Sequence, residues 1–364
     1  MRYRIHPKTG DKISELGYGS SYMPEADEES AVEALEAAAE GGINYFDMAT
    51  ADGNCFPWYG KALEGRRKEI FYQIHFGADY TRGSYGWTLK LDQAKRSVEG
   101  VMKSLRTDYI DYGMIHCMDE DSDWETYQKN GVLKYLLQMK EQGVVRHIGL
   151  SSHTPEVIER ILDEAPVETL MFSINPGYDY QQGEYANGSV DARAEVYRRC
   201  EREKIGITVM KPFSGGQMLN AKLSPFGVAL TPWQCMQYAL DRPGVLSVLP
   251  GMSSKTQVEN LLGFFDATDE ERDYSAIGAF KPREAKGKCV YCNHCQPCPA
   301  GIDIGLVNKY YDLAKSGDSM AADHYRKLDM KAGACVGCGH CTARCPFEVE
   351  QQNRMKEIAE YFGE

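Results

Sequence analysis

Tyr109-Ile110-Asp111-Tyr112-Gly113-Met114-Ile115-His116 is a run of mostly apolar, β-branched and aromatic residues that stops at a histidine. Similar short runs occupy residues 16–20, 43–48, 70–75, 147–151, 169–174, 206–211 and 246–249. Runs of this length and composition read as buried strands, and a helical apolar pattern follows each of them, after a short loop in the case of the first. Strands that alternate with amphipathic helices build a parallel sheet, because each crossover returns the chain to the same end. Eight such units predict an α/β fold, a (β/α)8 TIM barrel, over residues 1–280. The stretch from Tyr3 to Ile13, turning at Lys8-Thr9-Gly10-Asp11, reads as a hairpin ahead of the first barrel strand.

Barrels of this kind carry their chemistry at the C-terminal ends of the strands. Asp47, His75, His116, Ser151, Asn175, Lys211 and Gly251 all fall at or just past those ends, so they are expected to converge on one mouth. Tyr80, Trp87, Trp58 and Tyr178 fall on the expected mouth loops and suggest a partly aromatic pocket for a small molecule. At 364 residues and 43% hydrophobic content the chain has room for one large domain and one small one. A net charge of -12 argues against a nucleic-acid partner, which calls for clustered Lys and Arg. No apolar stretch is long enough to cross a bilayer, and the N-terminus lacks the apolar core of a leader, so no membrane is expected and the location reads as cytoplasmic.

Eight of the twelve cysteines form two compact runs, Cys289-x-x-Cys292-x-x-Cys295-x-x-Cys298-Pro299 and Cys335-x-x-Cys338-x-x-Cys341-x-x-x-Cys345-Pro346. This spacing is that of two [4Fe–4S] clusters, and in two-cluster ferredoxins the fourth cysteine of each run serves the other cluster. That pairs Cys289, Cys292, Cys295 and Cys345 on one cluster, and Cys335, Cys338, Cys341 and Cys298 on its partner. Zinc is the competing reading, since paired C-x-x-C units also make four-cysteine zinc sites, although zinc has no use for a proline after the last thiolate. A disulfide framework conflicts with the absence of secretory features, and thiolate-ligated clusters call for a reducing, oxygen-poor setting. Residues 281–288, charged and holding Pro and Gly, read as a linker into a ferredoxin-like, mainly α, iron–sulfur domain over residues 281–364. Helices are expected over residues 304–329, in two stretches, and 348–362. Cys55, Cys117, Cys200 and Cys235 read as buried or incidental thiols, with Cys117 and Cys55 near enough to His116 and Asp52 to reach the mouth.

Several of these segments, in this order, resemble the aldo/keto reductases. They are Ser14-Glu15-Leu16-Gly17-Tyr18-Gly19, Asn44-Tyr45-Phe46-Asp47, Thr107-Asp108 through Ile115-His116, Val145-Arg146-His147-Ile148-Gly149-Leu150-Ser151-Ser152, Met210-Lys211-Pro212 with Gly215-Gly216, and Pro250-Gly251-Met252-Ser253-Ser254 through Glu259-Asn260. The cysteine-rich tail is similar to that of a subgroup carrying a C-terminal dicluster module. The resemblance implies an oxidoreductase that works on a carbonyl or hydroxylated small molecule. It also implies NADP(H) held by Gly19, Ser151, Ser152, Asn175, Lys211, Gly251, Lys255, Glu259 and Asn260, and a ferredoxin- or flavodoxin-type electron donor.

The family works with Asp, Tyr, Lys and His, and this chain matches two of the four, Asp47 and His116. Asp52-Gly53 stands where the family has Tyr-Gly, and Gly60, eight residues on, fixes that register. His75 replaces the Lys. The resulting set is Asp47, Asp52, His75 and His116, with His116 and His75 as the expected proton-transfer pair and Tyr59 a poorer substitute phenol. The same four side chains also suit a divalent metal at the barrel mouth. Thr256 stands where the family's NADP-binding members place Arg. The combination leaves three classes open: an iron–sulfur oxidoreductase, a lyase or isomerase with structural clusters, and an electron-transfer protein with an inactive barrel.

Overall fold

The computed structural model describes residues 1–180, 185–279, 286–291, 293–315 and 319–364. Strands β1 (Tyr3–Ile5) and β2 (Lys12–Ser14) pair antiparallel as the expected hairpin. The barrel strands are β3 (Tyr18–Gly19), β4 (Tyr45–Asp47) and β5 (Phe71–Phe76), then, after a short pair β6 (Ala78–Asp79) and β7 (Gly86–Trp87), β8 (Ile110–Ile115), β9 (Val145–Ser152), β10 (Thr169–Ser173), β11 (Gly206–Met210) and β12 (Val245–Val248). Along the order β12-β11-β10-β9-β8-β5-β4-β3 every pairing is parallel. Bridges Leu16–Val248 and Gly19–Gly251 join the two ends of that order and close the ring.

Alternation along each strand sorts the side chains. Tyr45, Tyr112, Met114, Met171 and Met210 pack together inside the ring, while Phe46, Tyr72, Ile74 and Phe76 face the surrounding helices in the larger core. The hairpin packs against the N-terminal ends of the strands: His6 Nε2 lies 2.9 Å from Thr169 Oγ1, and Arg4 donates to the carbonyls of Leu240 and Val245. One expectation needs correction. The run at 70–75 is followed by the β6–β7 excursion, and its helix, Leu91–Ser104, comes after that.

Of the expected linker, residues 281–285 lie outside the described residues, as does Cys292. From residue 286 onward the described residues hold helices Ile304–Lys315, Ser319–Arg326, His340–Arg344 and Gln351–Phe362 and no strand. They have a core of their own, in which Ile302, Ile304, Val307, Tyr311, Tyr325, Met355 and Ile358 meet Cys295 and Cys341. Polar contacts fasten this part to the barrel: Arg242 donates to the carbonyls of Val290 and Tyr291, and Arg198 Nε to the Tyr291 hydroxyl at 2.8 Å. Phe347 packs on Tyr180, with ring centres 5.0 Å apart and the ring planes tilted by 35°. No described helix is long and apolar enough to cross a membrane.

Candidate active site

Strand alternation puts Asp47 on the same face as Tyr45, and Gln73 and His75 on the inner face of β5, one step apart. The sequence therefore stacks a polar layer above the aromatic one. Gln73 Nε2 donates to Asp47 Oδ1 at 2.8 Å, and its Oε1 accepts from Tyr45 and Thr208, so this buried amide is anchored from two strands, β4 and β11. His75 Nε2 lies 2.7 Å from Asp47 Oδ1, and His75 Nδ1 lies 2.9 Å from His116 Nδ1. The line ends at Tyr85, whose hydroxyl is 2.9 Å from His116 Nε2.

With Asp47 as the carboxylate and both imidazoles neutral, one arrangement of protons satisfies all three contacts. His75 Nε2–H donates to the carboxylate, His116 Nδ1–H donates to the bare Nδ1 of His75, and the Tyr85 hydroxyl donates to the bare Nε2 of His116. For His116, neutrality is what the surroundings impose. Burial, then the neighbouring His75, push His116 well below the usual histidine range. Burial, with Cys117 and Asp119 nearby, pushes the Tyr85 phenol up to about 12. Tyr85 is 42% exposed, whereas Asp47, His75 and His116 are buried, so the line runs from the cavity surface into the barrel.

The cavity has a volume of about 1090 Å³. Its wall includes Asp47, His75, Tyr85 and His116, and also Gln257 and Asn260 on the helix Lys255–Leu262. Of the expected cofactor residues, Gly19, Ser151, Lys211, Gly251 and Asn260 line it, while Ser152, Asn175, Lys255 and Glu259 do not. Asn175 acts at one remove: its Nδ2 donates to the carbonyl of Lys211, which has a left-handed φ of 54°. Gly19 and Gly251 keep the cleft open. A Cβ on Gly19 would sit 2.6 Å from the Leu249 carbonyl oxygen, and one on Gly251 would sit 2.3 Å from the Tyr22 ring.

Asp52 is not brought into this group. Its carboxylate accepts from the backbone N–H of Asn54 at 2.9 Å, capping the turn Gly53–Cys55, and the residue is absent from the cavity wall. The set Asp47, Asp52, His75 and His116 is thus not gathered around one point, and it is not among the described groups whose ligand atoms all lie within 4.8 Å of one another. Tyr59 donates to Ser20 Oγ in the outer core, away from the cavity. Of the expected mouth aromatics Tyr178 lines the cavity, whereas Tyr80 holds the backbone of Thr50 and neither Trp58 nor Trp87 reaches the wall. Sequence reasoning missed Tyr85, Gln73 and His153. A signal for Tyr85 existed in Gly83-Ser84-Tyr85-Gly86, a phenol on a glycine-flanked loop just past the His75 strand.

The sequence pattern described as the Aldo/keto reductase family matches residues 15–229. The chain belongs to the aldo/keto reductase family. It is an oxidoreductase of that type, with the family's parallel α/β barrel. An uncharacterised oxidoreductase of Bacillus subtilis, YqkF, is 29% identical over 288 residues, covering 72% of this chain and 90% of that protein. The L-galactose dehydrogenase of Arabidopsis thaliana is 23% identical, over 71% of this chain and 86% of its own. Among solved structures, the holo form of an aldo-keto reductase from Bacillus halodurans superimposes with a TM-score of 0.61 at 24% identity, over 76% of this chain and 95% of that one. The cysteine runs lie beyond the residues that match the family pattern.

Proposed function

We propose that this aldo/keto reductase is an iron–sulfur oxidoreductase that interconverts a carbonyl and its alcohol on a small hydroxylated molecule, with Tyr85 handling the oxygen-bound proton. The observation that carries the reading is the line Tyr85–His116–His75–Asp47 in the wall of the cavity. In the oxidising direction the substrate hydroxyl gives its proton to the Tyr85 oxygen while the phenol proton passes to His116 Nε2. The Nδ1 proton of His116 passes to His75, and the Nε2 proton of His75 to Asp47. Each group before Asp47 gains one proton and loses one, and only Asp47 changes charge. The reducing direction reverses every transfer and leaves Asp47 ionised. Tyr85 thus replaces the phenol missing at Asp52, and neutral His116 does by proton transfer what the family's Lys does by charge.

The expected cofactor residues Gly19, Ser151, Lys211, Gly251 and Asn260 in the cavity wall support NADP(H), which would supply or take the hydride. Lys211, Gly251 and Asn260 would hold it, with Ser151 near the reacting end. For the iron–sulfur part, Cys298, Cys335, Cys338 and Cys341, the set expected for one cluster, line one small cavity together with Cys295 of the other set. For the other cluster, Cys289 and Cys345 lie close enough to interact electrostatically. Two clusters carry one electron each and together hold the two electrons of one carbonyl; they would supply these in place of a nicotinamide hydride, not in addition to it, and a ferredoxin- or flavodoxin-type protein is the partner that exchanges them. Such clusters call for a reducing compartment, the cytoplasm.

The test uses anaerobically purified full chain. Iron and sulfide counts of about eight each, an EPR signal on reduction, and reoxidation of the reduced clusters by an aldehyde or ketone are the expected results. Absence of iron, or clusters that stay reduced with every carbonyl compound offered, overturns the iron–sulfur part of the reading.

A further inference from the structure

We propose that Cys117, Asp119 and His153 form a site for one zinc-type divalent cation in the wall of the cavity, with its remaining coordination position open to the cavity. These three are the group of His, Cys, Asp or Glu among the described residues whose ligand atoms all lie within 4.8 Å of one another. Cys117 and His153 line the same cavity as Tyr85 and His116. The set shares no residue with the proton line, and its existence depends on neither nicotinamide nor clusters.

The geometry separates a ligand group from a merely structural one. Asp119 divides its two oxygens. Oδ1 accepts from Ser152 Oγ and from the backbone N–H of His153, which ties the ends of β8 and β9 together. Oδ2 faces the other two residues, 2.9 Å from His153 Nδ1 and 3.6 Å from Cys117 Sγ. Tetrahedral zinc with bonds of about 2.0 Å to N or O and 2.3 Å to S needs its ligand atoms roughly 3.3–3.8 Å apart. The sulfur–oxygen separation already fits, and the nitrogen–oxygen one needs to open by a few tenths of an ångström. A purely structural Asp–His contact would require no thiol there, yet Cys117 holds a left-handed φ of 51° with its sulfur on the same carboxylate oxygen.

His153 supplies the second, independent sign of a ligand. The residue is 4% exposed, and its Nε2 has no hydrogen-bond partner among the described residues. A buried ring nitrogen without a partner costs stability. A polar group of a small molecule in the cavity, on the side of the ring away from Asp119, would complete it. The donor set selects the ion: a thiolate with an imidazole and a carboxylate suits Zn²⁺ and disfavours Mg²⁺ and Ca²⁺, which take oxygen ligands. Thiolate and carboxylate together also cancel the ion's two charges. Three protein ligands with one open position is the form of a catalytic rather than a structural zinc site.

The experiment is zinc binding to the full-length, cluster-reconstituted protein under anaerobic conditions, followed by dialysis and elemental analysis of zinc and iron. Wild type is expected to retain one zinc more than Cys117→Ser or His153→Gln, with iron unchanged. Equal zinc in wild type and both variants overturns the proposal. A second measurement needs no variant. Zinc-edge X-ray absorption of wild type is expected to show one sulfur at about 2.3 Å with nitrogen or oxygen at about 2.0 Å. A shell of four sulfurs, or of nitrogen and oxygen alone, overturns it.

Discussion

Replacing Tyr85 with Phe separates the proton line from the rest of the protein. The substitution deletes one hydroxyl that donates to His116 Nε2 at 2.9 Å and leaves the ring in place. Its structural cost is small, because a neutral hydrogen bond is worth about 0.5–1.5 kcal/mol and water can reach a residue that is 42% exposed. Its catalytic cost is large if the phenol is the proton donor. Loss of a positioned acid lowers kcat about 10²–10⁴-fold, a rise of roughly 3–5 kcal/mol in the activation free energy. The assay is anaerobic carbonyl reduction, with kcat and KM measured separately beside the melting temperature. The expected result is a kcat lower by at least a hundredfold, KM within a few-fold, and melting within a few degrees of wild type. Asp52→Asn is the control, and it should leave kcat nearly intact because Asp52 serves only the Asn54 turn. A Tyr85→Phe enzyme within threefold of wild type would refute the proton line, as would an Asp52→Asn enzyme with the larger loss.

Other outcomes follow from the same geometry. His6 is driven down to about 4 by burial and then by His147, and its Nδ1 accepts from the N–H groups of Lys8 and Thr9, which only the neutral ring can do. A histidine with a lowered folded pKa stabilises above its unfolded value of about 6.5, and that stability is lost as pH falls toward the folded value. The melting temperature should therefore fall between pH 6.5 and 4, by an amount worth up to about 3 kcal/mol, and His6→Gln should flatten this part of the profile. Asp179 accepts from buried Arg193, Tyr197 and Tyr238, so Asp179→Asn should cost about 3–5 kcal/mol in denaturant unfolding by leaving a buried guanidinium uncompensated. Cys341→Ser should lower the iron count from about eight toward four, while Cys117→Ser should leave it unchanged; equal losses in both would break the assignment of the C-terminal cysteines.

The strands were legible because each is covered on both faces, by the barrel interior and by a helix, and so appears as an unbroken apolar run bounded by polar residues. For two of them the observed ends fall within about two residues of the expected ones: 109–116 becomes Ile110–Ile115, and 206–211 becomes Gly206–Met210. Asp47, His75 and His116 were legible for a related reason, since strand periodicity fixes which end residue faces inward. Asp52 shows where that reasoning stops. An Asp at a turn start satisfies a local N–H before it reaches for a distant partner. Tyr85 arrives just before β7, at the end of an excursion whose strands are two residues long, too short to carry any periodicity. Cys117, Asp119 and His153 meet only because β8 and β9 are neighbours, a pairing that spacing along the chain does not encode.

The ring is closed at one seam, where β3 meets β12 through Gly17 N to the Val248 carbonyl, Gly19 N to the Pro250 carbonyl and Val248 N to the Glu15 carbonyl. Gly19 and Gly251 sit on that seam and also in the wall of the cavity. A molecule lying across them would touch the first and last strands at once, and its occupancy would enter the opening equilibrium of the barrel directly. At a concentration a hundred times its dissociation constant such a ligand adds about 2.7 kcal/mol to the closed form. The seam can therefore report on occupancy, because amide exchange at Gly17 and Gly19 should slow on binding by the factor that this free energy sets.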